Sequence, residues 1–140
     1  MIFILDTDHF SEFDRGSGAG LRLKTRMELT DAAFFTTFIT VEEVMQGWLP
    51  RIKSCKSARE QIAIYERLQG SVKELGDWDI LPWDEEAVNV YEALKLRKIR
   101  VGTMDLKIAS IALAFEASVL TRNTVDFAKV QGLRIENWLD

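Results

Sequence analysis

Ile2 to Leu5 is an unbroken apolar run that stops abruptly at a carboxylate, Asp6. A strand with one wet face alternates apolar and polar residues, so a continuous run belongs to a strand buried on both faces. Strands of that kind lie inside parallel sheets, and each parallel neighbour needs a crossover, usually a helix. The remaining sequence supplies both parts. Residues 34–39 (aromatic and Thr-rich), 80–81, 118–121 and 133–138 read as further strand segments. Between them, residues 11–15 and 21–29 read as helices separated by Gly16, Gly18 and Gly20.

Capping signals place the other helices. Thr40 and Glu43 match a capping box, predicting a helix that starts there and ends near Gly47 to Pro50. Ser57 and Glu60 form a second box, opening the longest expected helix, with Ala58, Ile62, Tyr65, Leu68, Val72 and Leu75 at helical spacing; this helix and the four Trp residues offer more apolar surface than a small monomer easily hides. Asp84 caps a helix to about Arg97, Thr103 is the expected cap of an apolar helix over 104–117, and a short helix spans 124–130. Strands alternating with helices predict an α/β three-layer sandwich around a central, mostly parallel sheet.

With 140 residues the chain suits one domain, 1–140, with a real core. Its 47% hydrophobic and 29% charged content is that of a folded globular protein. A lone cysteine, Cys55, excludes a disulfide framework and a cysteine-rich metal site, which fits a reducing compartment such as the cytoplasm. Asp6 cuts the first apolar run too early for a secretory signal, and no later stretch is long enough to span a bilayer, so no membrane role is expected. A formal net charge of −4 argues against wrapping nucleic acid by bulk electrostatics. It leaves room for an enzyme whose acidic site is neutralised by a metal.

Ligand sites of open parallel sheets lie beyond the carboxyl ends of the strands. Four acids take such positions: Asp6 ends the first strand, Glu43 lies in the first turn after the second, Asp105 opens the apolar helix, and Asp126 follows the 118–121 strand by a short loop. Glu43 and Asp105 have ordinary explanations, as a capping-box partner and a first-turn acid favoured by the helix dipole. Asp6 is harder to explain away, because a carboxylate against a buried strand loses solvent and needs a cation or hydrogen bonds in return. Carboxylates that converge raise one another's pKa and persist ionised only around a cation. Hard oxygen ligands suit Mg²⁺ or Mn²⁺; with one histidine and no cysteine cluster, zinc does not fit.

Four segments, taken in order, resemble PIN-domain ribonucleases and more narrowly the VapC-type toxins of toxin–antitoxin pairs. They are Leu5-Asp6-Thr7-Asp8, Thr40 to Gly47, Val101 to Ala109, and Thr121 to Phe127. The resemblance covers essentially the whole chain. It implies a PIN-like fold and Mg²⁺-dependent endonucleolytic cutting of RNA, a phosphodiester hydrolysis. It further implies an antitoxin protein as partner, its tail over the acidic site, and a homodimer. Carried over residue by residue, it makes Asp6, Glu43, Asp105 and Asp126 the catalytic, metal-holding acids. Glu43 is preferred to its neighbour Glu42 on its spacing to Gly47. Asp8 stands where the family often has Asn and would help bind the metal through water. Thr121 and Asn123 would orient the fourth acid or the reacting water, and Arg122 would touch RNA phosphate. His9 reads as a partly exposed residue at the start of a helix rather than a ligand.

Of three basic groups, around Arg22 to Arg26, Arg51 to Arg59 and Lys95 to Arg100, the last leads into the Asp105 segment and is expected to guide phosphate. Two other readings compete. Asp6-Thr7-Asp8 after an apolar strand is the spacing of haloacid dehalogenase-like phosphatases, although His9-Phe10 replaces the small residues that follow there. A catalytically silent, ion-binding interaction module is the second; a receiver-like version would need a phosphoacceptor Asp and a later Lys, and both are not found.

Overall fold

The computed structural model describes residues 1–140. Five strands, β1 (Ile2–Leu5), β2 (Ala33–Thr37), β3 (Ile80–Leu81), β4 (Ser118–Leu120) and β5 (Ile135–Glu136), form one sheet in the order β3-β2-β1-β4-β5. Every pairing is parallel, with Ile4 opposite Phe35 on one side and Val119 on the other. The sheet is thus wholly rather than mostly parallel. The doubly buried strand expected from the first apolar run is its centre, β1.

Side chains alternate across β1 and divide the core in two. Ile4 joins Val119 and Phe127 with α5 (Glu85–Leu96), α6 (Thr103–Ala114) and α7 (Thr124–Phe127) on one face. Phe3 and Leu5 join Leu120 and Trp138 with α1 (Thr7–Arg15), α2 (Gly18–Leu29), α3 (Phe38–Ser54) and α4 (Gln61–Gly76) on the other. These are the helix, sheet and helix layers of the expected α/β sandwich. Two glycines set the α1–α2 corner. Gly16 closes α1 in a left-handed conformation, φ 63°, and a Cβ on Gly20 would lie 1.9 Å from the Glu12 carbonyl oxygen.

Several boundaries differ from expectation. α1 starts directly at Thr7, with Asp6 as its cap. β2 ends at Thr37, whose hydroxyl accepts from the Thr40 N–H, so α3 is capped at Thr37 and Thr40 lies inside it. α3 then runs through Pro50 to Ser54, although proline breaks the backbone ladder there; buried Ile52 in the following turn holds it to the core. Ser57 does accept from the Glu60 N–H, but Glu60 reaches back to the Lys56 N–H, and α4 starts only at Gln61. Gly102, not Thr103, caps α6, which ends at Ala114. Along the α4 stripe Leu75 is buried, while Ile62, Tyr65 and Val72 are each about half exposed, at 52%, 53% and 50%, in keeping with the surplus apolar surface expected of this helix.

Candidate functional site

The strand order reverses between β1 and β4, since the chain leaves β1 toward β2 and β3 on one side and later adds β4 and β5 on the other. A crevice opens at the carboxyl ends of strands on either side of such a switch. Asp6 leaves β1 there, tied to β4 by its N–H donating to the Leu120 carbonyl at 3.1 Å. Thr121 leaves β4 beside it, fully buried, with its hydroxyl accepting from the Asn123 N–H at 2.9 Å.

Asp6 is 5% exposed, and Oδ1 accepts from the His9 N–H at 3.0 Å, capping α1. Glu43 projects from the second turn of α3 and accepts from the Thr7 hydroxyl at 2.5 Å. Thr7 Oγ1 is in turn 3.2 Å from Thr40 Oγ1. Glu42 points to solvent, where Gln46 meets it at 3.4 Å. Asp105, in the first turn of α6, accepts from Asn123 Nδ2 at 2.9 Å, and the same amide donates to Asp126 at 3.0 Å. The switch point therefore gathers acids from four segments far apart in sequence.

Their electrostatics distinguish them. Burial pushes the Glu43 carboxyl above its ordinary value, opposed by the Thr7 hydrogen bond and reinforced by Asp105, Asp6 and Asp8. Burial likewise pushes Asp105 up, opposed by the Asn123 hydrogen bond and reinforced by Asp6, Asp126 and Asp8. Asp8 reaches solvent, yet loss of surrounding water and the charge of Asp6 raise it too. Asp126 goes the other way, held down first by the Asn123 amide and then by Lys129, whose Nζ is 3.1 Å from Oδ1. Asp6, Glu43, Asp105 and Asp8 thus lie close enough for their charges to oppose one another, whereas Asp126 has a cation of its own.

Mutual repulsion among carboxylates that lack counter-charges is the setting a divalent cation relieves. No three His, Cys, Asp or Glu side chains are grouped closely enough to hold an ion between them. Magnesium does not need such a cage, because it binds through one or two carboxylates and keeps several waters. The all-oxygen donor set fits Mg²⁺ or Mn²⁺ and not zinc.

Other expected residues fall less centrally. Arg122 is exposed and pairs with Asp140 at 3.2 Å and Glu12 at 3.5 Å. Lys95 lies over Tyr91 and Arg97 meets Gln131, while the cleft that reaches Thr7 and Glu43 is lined instead by Arg15, Arg51 and Arg67, with Trp48 under the Arg51 guanidinium at 5.1 Å. His9 is not partly exposed: it is 0% exposed, and its Nε2 accepts the Trp138 N–H at 3.1 Å. Sequence reasoning gives Thr7 and Thr40 no part at the site. The signal for them was a hydroxyl within a few residues of an expected strand's end, next to buried residues, where hydroxyls must find partners.

No protein-family sequence model matches the chain, and no curated protein matches it in sequence. Solved structures do. A chain of the DNA-bound VapBC structure from Salmonella typhimurium superposes with TM-score 0.77 at 23% identity, covering 99% of this chain and 98% of that one. One in VapBC2 from Rickettsia felis, bound to a DNA fragment from its promoter, gives 0.74 at 20% identity with 99% of each chain covered. One in FitAcB from Neisseria gonorrhoeae gives 0.68 at 24%, covering 99% and 98%. At these identities the likeness is one of fold, and over its whole length the chain carries the PIN-like α/β fold found in these structures.

Proposed function

We propose that this chain is a divalent-metal-dependent endoribonuclease, the toxin member of a toxin–antitoxin pair acting in the cytoplasm. The observation that carries the reading is the convergence of Asp6, Glu43 and Asp105 at the β1/β4 switch point, with burial and mutual repulsion raising the last two. The fold shared with toxin–antitoxin structures supports it, as does the ordered set of motif segments.

In this reading Asp6 and Asp105 hold Mg²⁺ or Mn²⁺ directly, and Glu43 and Asp126 complete the site or hold its waters. A bound ion would supply Lewis-acid stabilisation of the negative charge that develops on the phosphodiester. The chain's own groups do the rest. Asn123 fixes Asp105 and Asp126 relative to each other through one amide. Thr7 aims Glu43. Thr121 anchors the turn that presents Asn123. Asp8 and Arg122 flank this space as weaker water- or phosphate-binding groups. The cleft beyond Glu43 offers Arg51, Arg67 and Trp48, groups that track phosphates and stack on bases.

The test is cleavage of total RNA, with ends mapped, by wild type and Asp105→Asn, in Mg²⁺ and in chelator. Metal-dependent internal cuts, reduced on the order of 100-fold or more by the substitution, are expected. Cleavage that persists in chelator, or an Asp105→Asn enzyme as fast as wild type, would sink the reading. Parallel phosphomonoester and DNA substrates separate it from a phosphatase and from a DNA nuclease.

Ile62, Tyr65 and Val72 of α4 are each about half exposed, and so are Phe38 and Leu49 of α3. Apolar surface of this kind is buried by partners, which supports an antitoxin and a second copy of the chain as its occupants. No helix is long and apolar enough to cross a membrane. Copurification of a small partner protein that silences the nuclease is the expected result; a strict monomer harmless when expressed alone counts against it.

A further inference from the structure

His9 is the one buried titratable side chain that the reading above leaves without a task. Its imidazole is 0% exposed, on the first turn of α1, beside Asp6. One ring nitrogen is fully engaged: Nε2 accepts the backbone N–H of Trp138 at 3.1 Å. A nitrogen that accepts carries no proton, so the neutral ring has its proton on Nδ1. Nδ1 has no well-aligned hydrogen-bond partner and is the only buried side-chain nitrogen or oxygen in that state. The acid beside it is Asp6, whose Oδ1 lies 3.3 Å away. That oxygen already takes the His9 backbone N–H. Asp6 Oδ1 therefore accepts the backbone N–H of His9 and has the unpartnered ring Nδ1 as its near neighbour.

The residue that sets this arrangement comes from the other end of the chain. Trp138 is buried against Phe3, with ring centroids 4.9 Å apart, and carries the Arg26 guanidinium 4.1 Å above its ring. Its backbone position is thereby fixed by the second core, and with it the ring nitrogen that must accept.

We propose that His9 is a positioning residue for the carboxylate of Asp6, presenting the Nδ1 proton to Oδ1 in a tautomer dictated by the Trp138 backbone. This rests on the metal-nuclease reading, in which Asp6 is a ligand. A group that holds a ligating carboxylate in place tunes affinity for the ion as well as rate. A core histidine serving only to satisfy Trp138 would tune neither.

Two substitutions separate these roles, because each amide copies one ring nitrogen. His9→Gln sets an acceptor at the Nε2 position, for Trp138, and loses the donor to Asp6. His9→Asn sets a donor at the Nδ1 position and abandons Trp138. The readout is Mn²⁺ affinity of the purified chain, by electron paramagnetic resonance or calorimetry, alongside thermal melting. His9→Gln is expected to melt close to wild type and to bind Mn²⁺ at least roughly 10-fold more weakly. His9→Asn is expected to melt lower and keep its affinity for Mn²⁺. Wild-type affinity in His9→Gln, or equal losses in both variants, overturns the inference alone. Absence of Asp6-dependent Mn²⁺ binding in the wild type overturns the metal reading itself, and this inference with it.

Discussion

Asn123 occupies the most consequential position among the uncharged side chains. One amide donates to both Asp105 and Asp126, and for each acid that bond lowers the pKa. Replacing Asn123 by Ala leaves two carboxylates facing each other without a shared donor, so both move up. Protons then compete better with a cation. The expected outcome is a Mn²⁺ affinity lower by about 10-fold, a deficit that shrinks as pH is raised, measured by titrating the metal at pH 6 and pH 8. An unchanged affinity at both values would show that the amide orders nothing. Asn123 was legible in the sequence only through resemblance, because a turn after a strand is an ordinary place for Asn. The preference for Glu43 over Glu42 rested on a spacing to Gly47 that fits the resembled family, and the two side chains take opposite environments, one on Thr7 and one in solvent.

Among the elements, the α1–α2 corner is the tightest contact in which a glycine takes part. A Cβ at residue 20 would sit 1.9 Å from the Glu12 carbonyl oxygen and 2.6 Å from its carbon, and backbone cannot step aside as a side chain can. Gly20→Ala is expected to destabilise the fold by roughly 1–3 kcal/mol, a typical cost of overpacking, in urea denaturation. A change within a few tenths of a kcal/mol would mean that α2 slides freely on α1. The sequence marked the corner by Gly16, Gly18 and Gly20 without distinguishing Gly16, needed for its positive φ, from Gly20, needed for its missing Cβ. Helix starts were misplaced where two caps compete: Thr37 and Thr40 are both plausible, and the strand pairing of β2 decides for Thr37. The exposed α4 stripe is a further lesson, since periodicity marks an apolar face and does not say what covers it.

For the molecule as a whole, the acid cluster is a stability liability in the absence of metal. Glu43 and Asp105 titrate higher folded than unfolded, so the folded chain holds more protons in that range. Their contribution is most favourable below the ordinary carboxylate range and is lost as pH rises through the raised folded values. Asp126, held down, acts in the opposite sense, but it is partly exposed and screened. Glu43→Gln keeps an acceptor for Thr7 and removes one charge. At neutral pH without metal it is expected to raise the melting temperature by about 3–5 °C, on the order of 1 kcal/mol for a chain of this size, with a smaller gain near pH 4. Mg²⁺ should stabilise wild type more than this variant. A variant that melts lower than wild type at neutral pH without metal would contradict the repulsion. What the sequence determined by itself was local: a doubly buried first strand, the alternation of strands and helices, and acids at strand ends, all set by neighbours along the chain. Only tertiary structure decided that the acids converge, that Asp126 is diverted by Lys129, and that the buried ring of His9 is pinned by Trp138. Those outcomes depend on which strands flank β1 and on where the far end of the chain docks, and hydrophobic periodicity carries no information about either.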